Sequence, residues 1–91
     1  MNRFVALGYA CDRNGRRYIL GDHVEVVLDG STARTPGRDG LRKPIPKGLR
    51  GVYQRLVNGD NNLALVEFHQ PVGQKKEMLE ISLGDIGRAT A

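Results

Sequence analysis

The chain has 91 residues, a formal charge of +4, 12 glycines, four prolines, one cysteine and no tryptophan. That length makes a single domain, 1–91, with a modest core, and the glycines and prolines suit short strands joined by many turns. One thiol closes no internal disulfide, and no stretch approaches the ~20 apolar residues of a membrane helix, so the expectation is a soluble cytoplasmic protein.

The first element is apolar, from Arg3 to Ala10. Its run from Phe4 to Cys11 is too short for a lipoprotein signal, and charged residues follow at once, so it reads as a strand. Asn14-Gly15 separates it from Arg16–Leu20, and Asn-Gly between strand-like runs is a strong hairpin signal. An N-terminal hairpin is therefore expected over 1–20, with arms near 3–11 and 16–20. Gly21-Asp22 then turns the chain into a central strand over 23–28. There Val24, Val26 and Leu28 alternate with His23, Glu25 and Val27, the period of a strand with one face in a core.

Ser31 to Lys47 has no apolar periodicity and carries Pro36, Gly37, Gly40, Pro44 and Pro46. It is expected as a long surface loop over 31–47, extended around Lys43–Pro46, because a residue before proline avoids the helical region. The loop and its exit hold Arg34, Arg38, Arg42, Lys43, Lys47 and Arg50 against Asp39 alone, while acids slightly outnumber bases in the rest of the chain. All of the net positive charge therefore lies in this one segment.

Val52–Val57, Leu63–His69 and Lys76–Ile81 read as three further strands, the first two joined by a turn at 58–62. Val24, Val26, Leu28, Ala64, Val66, Phe68, Leu79 and Ile81 are the expected core. Leu63 and Leu65 make the other face of their strand apolar too, so either the N-terminal hairpin or a second copy of the chain, in a homodimer, is expected to cover it. Ser82–Ile86 reads as a helical or 3₁₀ turn capped by Ser82, and 87–91 as an edge strand or frayed tail.

Gly21-Asp22-His23-Val24-Glu25-Val26, Lys47-Gly48-Leu49-Arg50-Gly51-Val52 and Leu65-Val66-Glu67-Phe68 together resemble the rhythm of KOW-type and related SH3-like domains. Asp12-Arg13-Asn14-Gly15 followed by Gly21-Asp22-His23-Val24 also resembles the C-terminal barrel of the PhnA family of alkylphosphonate-utilisation operon proteins, without that family's zinc ribbon. The resemblance implies an all-β fold: a small five-stranded SH3-like barrel with an added N-terminal hairpin and a long basic loop between the first two barrel strands. In such barrels that loop often makes the partner contacts.

No catalytic or metal constellation stands out. His23, His69 and Cys11 lack zinc-ligand spacing, no Walker or dinucleotide glycine fingerprint occurs, and acidic residues fall singly. Gly48-x-x-Gly51 opens a strand, whereas the nucleic-acid clamp of KH domains joins two helices. The expectation is a non-enzymatic module without cofactor that binds nucleic acid or an acidic protein surface. Arg34, Arg38, Arg42, Lys43, Lys47 and Arg50 would supply the grip, extended by Arg16, Arg17 and Tyr53. The rival expectations are a protein-interaction or assembly module and, least favoured, an oligomeric small-barrel enzyme like the plasmid-type dihydrofolate reductases.

Overall fold

The computed structural model describes residues 2–37, 40–69 and 75–90. It is an all-β molecule, with nine strands and one 3₁₀ turn among the described residues. In chain order these are β1 (Val5–Ala6), β2 (Tyr9–Ala10), β3 (His23–Val26), β4 (Thr32–Arg34), β5 (Arg42–Pro44), β6 (Arg50–Asn58), β7 (Leu63–Phe68), β8 (Glu77–Ser82), the 3₁₀ turn Leu83–Asp85 and β9 (Ile86–Arg88). β1 and β2 pair only with each other. The other seven form one antiparallel sheet in the order β5-β4-β8-β7-β6-β3-β9, which does not close on itself.

The alternation that marked the strands also decides the inner face. Val24 and Val26 of β3, Ala64, Val66 and Phe68 of β7, and Leu79 and Ile81 of β8 are almost wholly buried in one cluster with Ala33, Tyr53, Leu83 and Ile86. Residues from both outermost regions of the sheet, Ile45 just after β5 and Ile86 of β9, join this cluster, so the sheet curls around a single core. Gly51 lets β6 approach β7 closely. A Cβ there would stand 2.7 Å from a Val66 methyl and 2.8 Å from the Glu67 carbonyl oxygen.

Leu28 departs from the expected core. β3 ends at Val26, where its pairing with Ile86 stops, and the chain bends through Asp29-Gly30. The Ser31 hydroxyl donates to the Leu28 carbonyl, and the Leu28 side chain is 46% exposed. The Val27 N–H still donates to the Asp85 carbonyl, so Leu28 is the first residue beyond that pairing.

The segment expected as a loop over 31–47 contains two short strands, Thr32–Arg34 and Arg42–Pro44. It folds as the β4–β5 hairpin, with Thr32 opposite Pro44, Ala33 opposite Lys43 and Arg34 opposite Arg42. β4 in turn pairs with β8, setting Ala33 against Ile81. Its apolar anchors are small or isolated, Ala33 and Ile45, both buried, and so gave no periodic signal. Pro44 sits on the edge strand β5, where its missing N–H leaves no ladder bond unmade.

The N-terminal hairpin is also rearranged. The two-stranded unit turns at Leu7-Gly8, both with positive φ (53° and 80°), the type I′ conformation that a two-residue hairpin prefers. Leucine is a poor residue for that conformation, so no turn signal was legible there. The Asn14-Gly15 turn forms, but Arg16–Leu20 is not a strand arm; one bridge, Cys11 to Arg17, crosses it. Phe4 and Val5 pack on the inner cluster. Leu63 and Leu65 stand on the opposite face, half-buried in rows with Ser82 and Glu80. The 3₁₀ turn lies where the sequence placed it, and β9 is the expected edge strand, but Ser82 makes no side-chain cap.

One guanidinium joins the N-terminal segment to the end of the sheet. Arg88 on β9 bonds to Asp12 (2.5 Å) and Asp22 (3.0 Å), donates to the carbonyl oxygens of Arg16 and Arg17, and stacks over the Tyr18 ring at 4.8 Å. Asp12 also caps the Asn14-Gly15 turn by accepting the N–H groups of Asn14 and Arg16. Burial works against both carboxylates. The hydrogen bonds from Arg88 and from the backbone outweigh it, and both aspartates are held below their ordinary pKa.

Three outcomes are expected. Val66→Ala and Ile81→Ala each lower the unfolding free energy by about 1–4 kcal/mol through lost burial and a residual cavity, whereas Leu28→Ala changes it by less than about 0.5 kcal/mol, as read by urea denaturation. Leu7→Asn raises stability by about 0.5–1 kcal/mol, because asparagine accepts positive φ at lower cost. The third is a pH effect. Carboxylates with depressed folded pKa values stabilise fully above about pH 4, and that contribution is lost as the pH falls through the lowered values. Asp85, raised by burial, runs the other way: its contribution is lost as the pH rises through its folded value. Arg88→Leu leaves Asp12 buried without its cation, costs about 3 kcal/mol at pH 7 and flattens the acid limb of the stability–pH curve.

Candidate functional site

The hairpin places the basic residues in three settings rather than one patch. Arg34 and Arg42 are direct cross-strand neighbours on the outer face of the sheet. Arg42 donates to the Thr32 hydroxyl at 3.3 Å and is exposed. Arg34 donates through Nη2 to the Gly37 carbonyl at 3.2 Å, while its Nε lies 3.7 Å from a Glu80 carboxylate oxygen, too far for a hydrogen bond. That Nε is buried and has no hydrogen-bond partner among the described residues.

Lys43 points to the other side of the hairpin. Its ammonium contacts both oxygens of Glu77 at 2.6 and 2.8 Å and ties the hairpin to β8. Lys47 and Arg50 are exposed beyond β5, Arg50 at the start of β6 opposite Glu25. Arg42, Lys47 and Arg50 make no ion pair among the described residues. Arg38 lies outside the described residues. Of the six residues expected from the sequence, the structure brings Arg34 and Arg42 together, engages Lys43 with a carboxylate and sets Lys47 and Arg50 apart.

The outer face beside Arg34 and Arg42 is concave, about 290 Å³, and polar; Thr32, Ser82, Glu80 and Asp85 also line it. Burial raises the Asp85 carboxyl above its ordinary pKa, with Arg13 opposing. The concavity therefore mixes two guanidinium groups with two acids, one of which favours its neutral form more than usual.

The expected extension lies elsewhere. Arg17 and Tyr53 line a second cleft, about 270 Å³, between β6 and the segment 17–20, and the two concavities share no lining residue. Tyr53 is buried and stacks on Tyr18 with ring centroids 5.3 Å apart. Burial pushes the Tyr18 phenol up to about 12, and its oxygen has no hydrogen-bond partner among the described residues. Arg17 lies over the Tyr9 ring at 3.6 Å. Arg16 is exposed on the Asn14-Gly15 turn and does not line this cleft. Tyr9, Leu20 and Arg55, which complete the cleft, belong to no motif; only the fold brings them to Arg17.

His23 and His69 meet edge-on with ring centroids 6.5 Å apart. Among the described residues no group of three or more His, Cys, Asp or Glu side chains is placed to hold a metal ion. No helix among the described residues is long and apolar enough to cross a membrane. No protein-family model matches the chain, and neither the curated proteins nor the solved structures contain a significant match to it.

Proposed function

We propose that this chain is a non-enzymatic binding module on an SH3-like barrel, and that it holds nucleic acid through the outer face of the β4–β5 hairpin. The barrel reading rests on connectivity. β3-β6-β7-β8 run antiparallel as neighbours, the 3₁₀ turn after β8 leads into β9, which returns beside β3, and the β4–β5 hairpin is inserted between β3 and β6.

The observation that carries the functional reading is the Arg34–Arg42 pair. Like charges directly opposite each other on neighbouring strands repel, at a cost within the roughly 0.2–1 kcal/mol range of cross-strand effects. Here one carboxylate, Glu80, stands near Arg34, and Arg42 makes no ion pair among the described residues. A phosphate on this face would relieve the repulsion and offer an acceptor to Arg42, in the geometry that guanidinium groups favour. Lys47 and Arg50 are exposed cations available to a longer strand. Lys43 contributes little, because Glu77 already neutralises it.

The contacts are to phosphate, so affinity should fall with salt and depend weakly on base sequence. Two or three contacts give a log–log slope of about −1.5 to −2.5. In anisotropy titrations of labelled oligonucleotides at several salt concentrations, Arg34→Gln with Arg42→Gln should weaken binding to unrelated sequences alike and bring the slope toward zero by about 1.5–2. Absence of binding at low salt, or a slope unchanged in the double variant, refutes this reading.

A further inference from the structure

β6 is longer than the strand beside it. It runs from Arg50 to Asn58, but β3 pairs with it only at Arg50, Gly51 and Val52. Two backbone bonds continue that side, Gly21 N–H to the Tyr53 carbonyl and Tyr53 N–H to the Asp22 carbonyl. Beyond Tyr53, no described segment makes backbone hydrogen bonds to that edge of β6, although β2 lies close beside it. The second cleft opens along this unpaired edge, between Gln54–Leu56 and Arg17–Leu20, with Gly8–Ala10 as its third wall.

Three properties of the cleft define what fits it. The unpaired edge presents backbone N–H and C=O groups to an added strand. The wall opposite is apolar and accessible, with Ile19 57% and Leu20 71% exposed. Its charge has one sign: Arg17 and Arg55 line it, and no carboxylate does.

We propose that this cleft takes an extended acidic peptide from a partner protein, paired to the free edge of β6 at Gln54–Leu56. Alternate side chains of such a strand point to opposite faces. Apolar ones would rest on Leu20 and Ile19, and acidic ones would face Arg17 and Arg55. Nucleic acid fits less well, because the rings here are already used. Tyr18 and Tyr53 are 3% and 4% exposed and stack on each other, and Arg17 covers one face of Tyr9, so the cleft offers no row of open rings for successive bases. The proposal stands independently of the hairpin reading, since the two surfaces share no residue.

The test is an NMR titration of the isotope-labelled full chain with a capped octapeptide of alternating valine and glutamate. Saturable shifts at the amides of Arg17–Leu20 and Gln54–Leu56 are expected. Arg17→Glu with Arg55→Glu should weaken binding at least tenfold, and Leu20→Asp should do so separately. N-methylation of the peptide amides that face β6 should abolish binding, and a valine–lysine octapeptide should not bind. The proposal is overturned by shifts confined to the β4–β5 hairpin, by equal binding of the lysine peptide, or by an unchanged double variant whose spectrum shows it folded. It is equally overturned if oligothymidylate binds this cleft in preference to the peptide. Shifts at Gln54–Leu56 that grow with protein concentration alone would make the occupant a second copy of the chain, and would overturn it too.

Discussion

The structure depends on what the Arg88 guanidinium holds together. Residues 12–22 contain no strand of the main sheet, yet they supply Tyr18 to the core and Arg17 to the cleft. Arg88 joins Asp12 at one end of this segment, Asp22 at the other, and two carbonyl oxygens between them. A guanidinium suits the task because its planar fork serves several acceptors while its face rests on a ring; an ammonium would offer a point charge without the stacking. With Asp12 and Arg88 both largely buried, each charge needs the other, so the cluster favours one arrangement of the N-terminal segment over looser ones.

The charge of the chain has two uses that composition does not separate. Part of the basic segment organises its own hairpin: Lys43 reaches Glu77, and Arg34 lies near Glu80. Such partly exposed pairs contribute little to stability, so Ala33 and Ile45 do more to dock the hairpin than the ions do. The ion pairs matter by subtraction, because they remove cations from the surface open to a ligand. Arg42 stays exposed opposite Arg34 and makes no ion pair among the described residues.

The sheet manages its edges unevenly. β5 carries Pro44 and is short, and β9 is three residues long with Arg88 turned to the aspartates, so neither invites a further strand. The far half of β6 differs. It outruns β3, and an irregularity between Tyr53 and Arg55 sends Tyr53 to the core and Arg55 to the outer face beside the cleft. Hydrogen-bonding capacity, exposed aliphatic surface and positive charge therefore coincide at one place, with the hairpin face, where Arg34 and Arg42 meet Glu80 and Asp85, as a separate surface.

What the sequence by itself determined was the alternation of β3, β7 and β8, the turns at Asn14-Gly15 and 58–62, the 3₁₀ turn and the all-β class. Each follows from side-chain period or turn chemistry within a few neighbouring residues, so local physics sufficed. The concentration of positive charge was legible for the same reason, being a property of one segment. The tertiary structure alone decided that Thr32–Arg34 and Arg42–Pro44 pair as strands, because their docking rests on Ala33 meeting Ile81, 48 residues on. It alone exposed Leu28, by ending the ladder at Val26, and it alone engaged Lys43 and Arg34 with acids from β8. Arg17, Leu20, Tyr53 and Arg55 line one cleft only in the folded chain, where Arg88 holds both ends of the segment 12–22. Contacts between residues far apart in sequence have no local period or turn signature, and those contacts placed the cleft.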